Sequence, residues 1–66
     1  MKLTIRELRR MKDISQEAMA EACGVHVNTY RAWEENPAKI RIENVSAIAK
    51  ALDVPVEDIF LSANTT

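Results

Sequence analysis

The sequence is poor in the residues that staple, break or activate a small fold. Among its 66 residues there is one cysteine, one histidine, one glycine and two prolines. A lone cysteine forms no internal disulfide, and without a second cysteine or histidine there is no zinc-ligand set, so no metal or cofactor is expected. Long apolar runs are missing as well. The start, MKLTIREL, has no apolar stretch behind its basic residues, and nothing later approaches the length of a membrane span; a cytoplasmic protein is expected. A chain of this length makes one small domain, near the lower limit for a core without staples, and leaves little room for an enzyme's cleft.

An excess of positive charge is also absent, the formal net charge being −1 and the sequence pI about 5.7. Nucleic-acid-binding domains are usually basic, so the sum alone argues against that partner. The distribution argues the other way. Lys2, Arg6, Arg9, Arg10 and Lys12 load the first segment, Arg31, Lys39 and Arg41 follow mid-chain, and Asp53, Glu57 and Asp58 gather near the end, making the molecule electrically lopsided.

What the sequence does have is a dense pattern in residues 16–35, QEAMAEACGVHVNTYRAWEE. Met19 and Cys23 fall on one helical face and Tyr30 and Trp33 on another, with Val25 in the bend between them. Small Ala20 lets a second helix cross closely, and Gly24 can supply the positive φ that a sharp turn after a helix requires. These are the demands of a helix-turn-helix, whose second helix enters the DNA major groove. With Val25, Tyr30 and Trp33 facing inward, Val27, Asn28, Arg31 and Ala32 are left outward on a helix predicted over 27–34. Asn bonds adenine through its amide edge, Arg forks onto guanine, and Val or Ala touches a thymine methyl, which makes these four the candidate base contacts. Thr29 is assigned to a phosphate.

On these residues the chain resembles the lambda-repressor-like family, the Cro and repressor (XRE-type) helix-turn-helix proteins, over roughly residues 5–60. The resemblance implies a compact, all-α, five-helix DNA-binding domain, placed at residues 1–61, with residues 62–66 expected as a disordered tail. It implies that Cys23 is an inert inward residue, that Tyr30 and Trp33 are core rather than base-stacking, and that Arg9 pairs with Glu34 to tie helix one to the recognition helix. At the position of Gln16 the family meets a phosphate, and the amide can also brace the recognition helix. The amides and dipole of a helix start favour an anion there independently. The chain departs from the family pattern at His26, where relatives usually place a capping Ser or Thr, and at Asp13 and Asp53, where glycine is usual. Imidazole accepts a hydrogen bond without being a preferred cap, and Asp enters the left-handed region less readily than Gly.

Outside the motif, Thr4 and Glu7 form a capping-box pair for helix one, flanked by Leu3 and Leu8, and the helix is predicted to stop near Lys12. Ser15 caps helix two. After Glu35 the segment NPAKIRIEN lacks helical periodicity, and Asn36 before Pro37 suits a turn. Lys39 and Arg41 fit the basic loop that follows the sugar-phosphate backbone in the family. Ile40 has no evident core place and is assigned to a dimer contact. Helix four, predicted over 43–52, buries Val45, Ile48, Ala49 and Leu52, with Arg41 standing where a cap is usual and Asn44 either capping a shorter helix or binding phosphate. A last short helix follows Val54 and Pro55, with Glu57 and Asp58 at its start and Ile59 and Phe60 closing the core.

The expected function is sequence-specific DNA binding by a transcriptional regulator, most naturally a repressor, with no catalytic residue. One copy reads only a half-site, so a homodimer on a near-palindromic operator is expected, using the region of Ile59, Phe60 and Leu61. A reading of a different class stays open: a protein-interaction module, such as an antitoxin or a regulator whose helix-turn-helix chiefly docks a protein. The negative net charge and the apolar Val27 and Ala32 support it.

Overall fold

A computed structural model describes residues 3–63, with side chains through Ile59. The described residues form five α-helices and one short 3-10 helix, with no strand. Each of the first three helices starts on a side chain that accepts an otherwise unpartnered amide of the first turn. For α1 (Ile5–Met11) this is the capping box, in which Glu7 N–H donates to Thr4 Oγ1 (3.1 Å) and Thr4 N–H to Glu7 Oε1 (2.8 Å). For α2 (Gln16–Cys23) the amide of Ala18 donates to Ser15 Oγ at 3.0 Å. For α3 (Val27–Glu35) the amide of Asn28 donates to His26 Nδ1 at 3.1 Å. His26 therefore does the work of a capping serine, which requires the ring nitrogen Nδ1 to be unprotonated.

Three connections pass through the left-handed region, at Asp13 (φ 56°), Gly24 (φ 71°) and Asp53 (φ 58°). After α2, the amides of Gly24 and Val25 turn back onto the carbonyls of Glu21 and Ala20, closing the helix before α3 departs. A Cβ at Gly24 would meet no atom within 4 Å, so the demand for glycine there comes from the dihedral and not from crowding.

Beyond α3 the chain makes a 3-10 turn over Pro37–Lys39 inside the segment read as non-helical, then α4 (Ile42–Leu52) and α5 (Val56–Ala63). α4 begins at Ile42, one residue earlier than its periodicity predicts, with Arg41 in the capping place and no side-chain hydrogen bond there. α2 packs on both α3 and α4, and α4 packs on α5. The core consists of Ile5, Leu8, Met19, Ala20, Tyr30, Trp33, Ile40, Val45, Ile48, Ala49, Leu52 and Ile59. Burying each of the larger ones contributes about 1.5–3 kcal/mol.

Two residues assigned to a contact between copies belong to this core, Ile59 in keeping with its other reading as a residue that closes it. Ile40 turns inward from the end of the 3-10 helix and is buried, and Ile59 is 0% exposed. Both lie under their own chain and offer no surface to a second copy. The side chains of Phe60 and Leu61 lie outside the described residues. α5 continues through Ala63, past the expected start of the tail, and residues 64–66 lie outside the described residues.

Candidate nucleic-acid interface

The outer side of α3 is built from the inside out. Tyr30 (0% exposed) and Trp33 meet edge to face, ring centroids 6.0 Å apart at 72°, and fix the rotation of the helix about its axis. That rotation leaves Asn28, Thr29, Arg31 and Ala32 exposed together. Val27 differs from its sequence assignment, being half-buried against the core, so that only its outer edge is available to a partner. Asn28, Thr29 and Ala32 line a shallow groove that Lys39 and Asn36 complete from the 3-10 turn.

Beneath this face lies a charged cluster centred on Glu34, whose side chain is fully buried. Arg9 Nε donates to Glu34 Oε2 and Arg9 Nη2 to Glu34 Oε1 (3.3 Å), while Arg9 Nη1 reaches the carbonyl of Ile14 at 2.8 Å. Arg6 Nε and Gln16 Nε2 also donate to Glu34 Oε1, at 3.3 and 3.0 Å. Burial by itself raises the pKa of Glu34, yet bonding from Arg9, the nearby Tyr30 hydroxyl, the hydrogen bond from Gln16 and the charge of Arg9 outweigh it and hold the carboxyl at about 2. Bonding to Glu34 raises the Arg9 pKa against the opposing effect of burial. Burial, followed by the nearby Glu34 carboxylate, pushes Tyr30 well above the usual phenol range, and its hydroxyl has no hydrogen-bond partner among the described residues.

The cluster continues outward. Gln16, half-buried at the start of α2, gives its Nε2 to Glu34 and takes Arg31 Nε on its Oε1 at 3.1 Å. Arg31 Nη1 donates to Asn28 Oδ1 (3.2 Å) and Arg31 Nη2 lies 3.5 Å from Glu17 Oε2. A continuous chain of polar contacts thus runs from α1 to the exposed face of α3.

A helix-turn-helix family model matches residues 5–59. The chain belongs to the lambda-repressor-like helix-turn-helix family. It is similar to the cryptic phage CTXphi transcriptional repressor RstR of Vibrio cholerae, 36% identical over 61 residues, which are 92% of this chain and 55% of that protein. The chain therefore spans about half the length of the curated relative it matches. No solved structure matches it.

Within this helix-turn-helix frame the structure groups Asn28, Thr29, Arg31, Ala32 and Lys39 around one face and its groove. Arg41 is exposed at the head of α4, 3.9 Å from Glu43, and Asn44 is half-buried in the first turn, where its amide bonds the carbonyl of Arg41. Arg9 and Glu34 sit in the interior, as the ion pair requires. Sequence reasoning missed Arg6 and Glu17. Arg6 lies three positions before Arg9 on the same helix, a spacing that puts both on one face. Glu17 had no such signal, because its contact depends on how α3 crosses α2. Cys23 is half-buried, and burial raises its thiol pKa, which suits a packing residue. Among the described residues no group of His, Cys, Asp and Glu is placed to hold a metal ion, and no helix is long and apolar enough to cross a membrane.

Proposed function

We propose that this protein is a sequence-specific DNA-binding transcriptional regulator, a repressor by analogy with the phage repressor it is similar to, acting in the cytoplasm as a homodimer on a near-palindromic operator. The observation that carries the reading is the exposed row on α3, Asn28, Thr29, Arg31 and Ala32, held outward by Tyr30 and Trp33 and flanked by Lys39 and Arg41. With α3 in the major groove, Asn28 and Arg31 address base edges, Ala32 and the exposed edge of Val27 contact thymine methyls, and Thr29, Lys39, Arg41, Asn44 and the N-terminus of α2 at Gln16 meet phosphates. No bond is made or broken. Since Ile59 is internal, contact between copies falls to Phe60 and Leu61, on the same helix as Val56, which is 41% exposed.

The test compares Asn28→Ala and Arg31→Ala with Lys39→Ala in binding to a duplex selected from a random-sequence DNA pool. The first two are expected to weaken discrimination against mismatched duplexes. Lys39→Ala is expected to weaken binding to all duplexes alike and to lower the slope of log affinity against log salt by about 0.9 per lost phosphate contact. No binding to any duplex at low salt, together with a stably co-purifying protein, would overturn this reading in favour of a protein-docking module.

A further inference from the structure

We infer that Glu17, at the start of α2, is a specificity-determining residue that acts through Arg31, allowing it to read bases while disfavouring its use as a general phosphate contact. The inference rests on the proposed reading of DNA by α3. A guanidinium carries five N–H donors. In Arg31 the Nε donor is held by Gln16, one Nη1 donor by Asn28, and one Nη2 donor faces Glu17. That leaves one donor on each terminal nitrogen, the number a bidentate contact to guanine needs. Guanine's acceptors are neutral and take these two donors without displacing the carboxylate.

A phosphate meets a different situation. Its attraction to Arg31 is offset by the carboxylate 3.5 Å from the same guanidinium, and Glu17, 68% exposed on the same face, repels the anion directly. Gln16 keeps Arg31 from swinging away, because Gln16 is itself fixed on the buried Glu34. Glu17 therefore lowers affinity for DNA in general more than affinity for the correct base sequence. Its ion pair with Arg31 is solvent-exposed and adds little to folding stability, so the charge can be removed without loss of the fold.

The experiment measures binding of Glu17→Gln, Glu21→Gln and Arg31→Ala to two probes, duplex DNA of random sequence and the duplex recovered from it by selection, across a salt series. Glu21 is exposed on the same helix, changes net charge identically, and makes no ion pair among the described residues. The expected result is that Glu17→Gln binds the random duplex about three- to tenfold more tightly, with a salt slope steeper by up to about 0.9, while affinity for the selected duplex rises less and the ratio between the two falls. Glu21→Gln leaves that ratio unchanged. Equal gains on both probes, or no change on either, would overturn the role of Glu17. If Arg31→Ala leaves binding to the selected duplex intact, it is the assignment of the reading face itself that fails.

Discussion

Residues 4–34 and residues 40–59 share one apolar core and differ in what is added to it. In the first region three helices start on side-chain caps, and the side-chain hydrogen bonds of the described residues cluster there, with Glu34 taking those from Arg6, Arg9 and Gln16. In the second, α4 starts without a side-chain cap, and Ile40, Val45, Ile48, Ala49, Leu52 and Ile59 carry the packing. Close apolar packing seats the helices in both regions, and in the first a multi-partner charged cluster, satisfied in one arrangement, is added to it. The polar region is therefore the one that must present side chains in fixed positions, and the apolar region is the wall against which it is pressed.

The largest effects that test this contrast come from the centre of each region. Glu34→Ala leaves the buried Arg9 without its carboxylate and is expected to cost about 3–5 kcal/mol in urea unfolding. Ile48→Ala, at 0% exposure, is expected to cost about 2–5 kcal/mol. The two are separated by pH. The folded Glu34 has its pKa lowered from 4.5 to about 2, so its contribution is fully present above 4.5 and is lost as pH falls from there through about 2. Wild type and Ile48→Ala should both lose stability over that window, and Glu34→Gln should lose distinctly less. If all three unfold in parallel with acid, the cluster does not set the acid sensitivity of the first region.

Much of the first region was legible in the sequence because its signals are local. Thr4 with Glu7, Ser15 at the head of α2 and Gly24 after it each act on residues within one turn, and each behaves in the fold as its chemistry predicts. Arg9 and Glu34 were reached only through the family resemblance, since residues so far apart in sequence give no local sign of contact. Ile40 was misplaced for the same reason, whereas Ile59, also named as part of a contact between copies, was already read as closing the core. An isolated apolar residue between Lys39 and Arg41 reads as surface until the rest of the fold covers it, and that cover is a tertiary fact. Val27 was assigned outward by helical periodicity alone, and packing against the core half-covers it. The bracing of the recognition helix by Gln16 was reached through the family resemblance, whereas the coupling of Arg31 to Glu17 was invisible on both counts, being non-local and dependent on rotamers.

The smallest effect sharpens the contrast at the border of the second region. Arg41 is 80% exposed on its side chain, stands at the cap of α4, and makes only a 3.9 Å approach to Glu43. Arg41→Ser would give α4 what the first three helices already have, a side-chain acceptor for an unpartnered amide, and is expected to stabilise the fold by about 0.5–1 kcal/mol. The same change removes a proposed phosphate contact, so affinity for every duplex should fall together and the salt slope should become shallower by about 0.9 per protomer. Stability and binding thus move in opposite directions from one substitution. A gain in the urea midpoint with unchanged DNA affinity would remove Arg41 from the interface, and a loss of both would mean that its aliphatic stem packs on α4. The expected opposition has a physical meaning. Where the first region uses its polar groups on its own helix ends, the second leaves a helix end uncapped at the place where an anionic backbone would supply the missing partner.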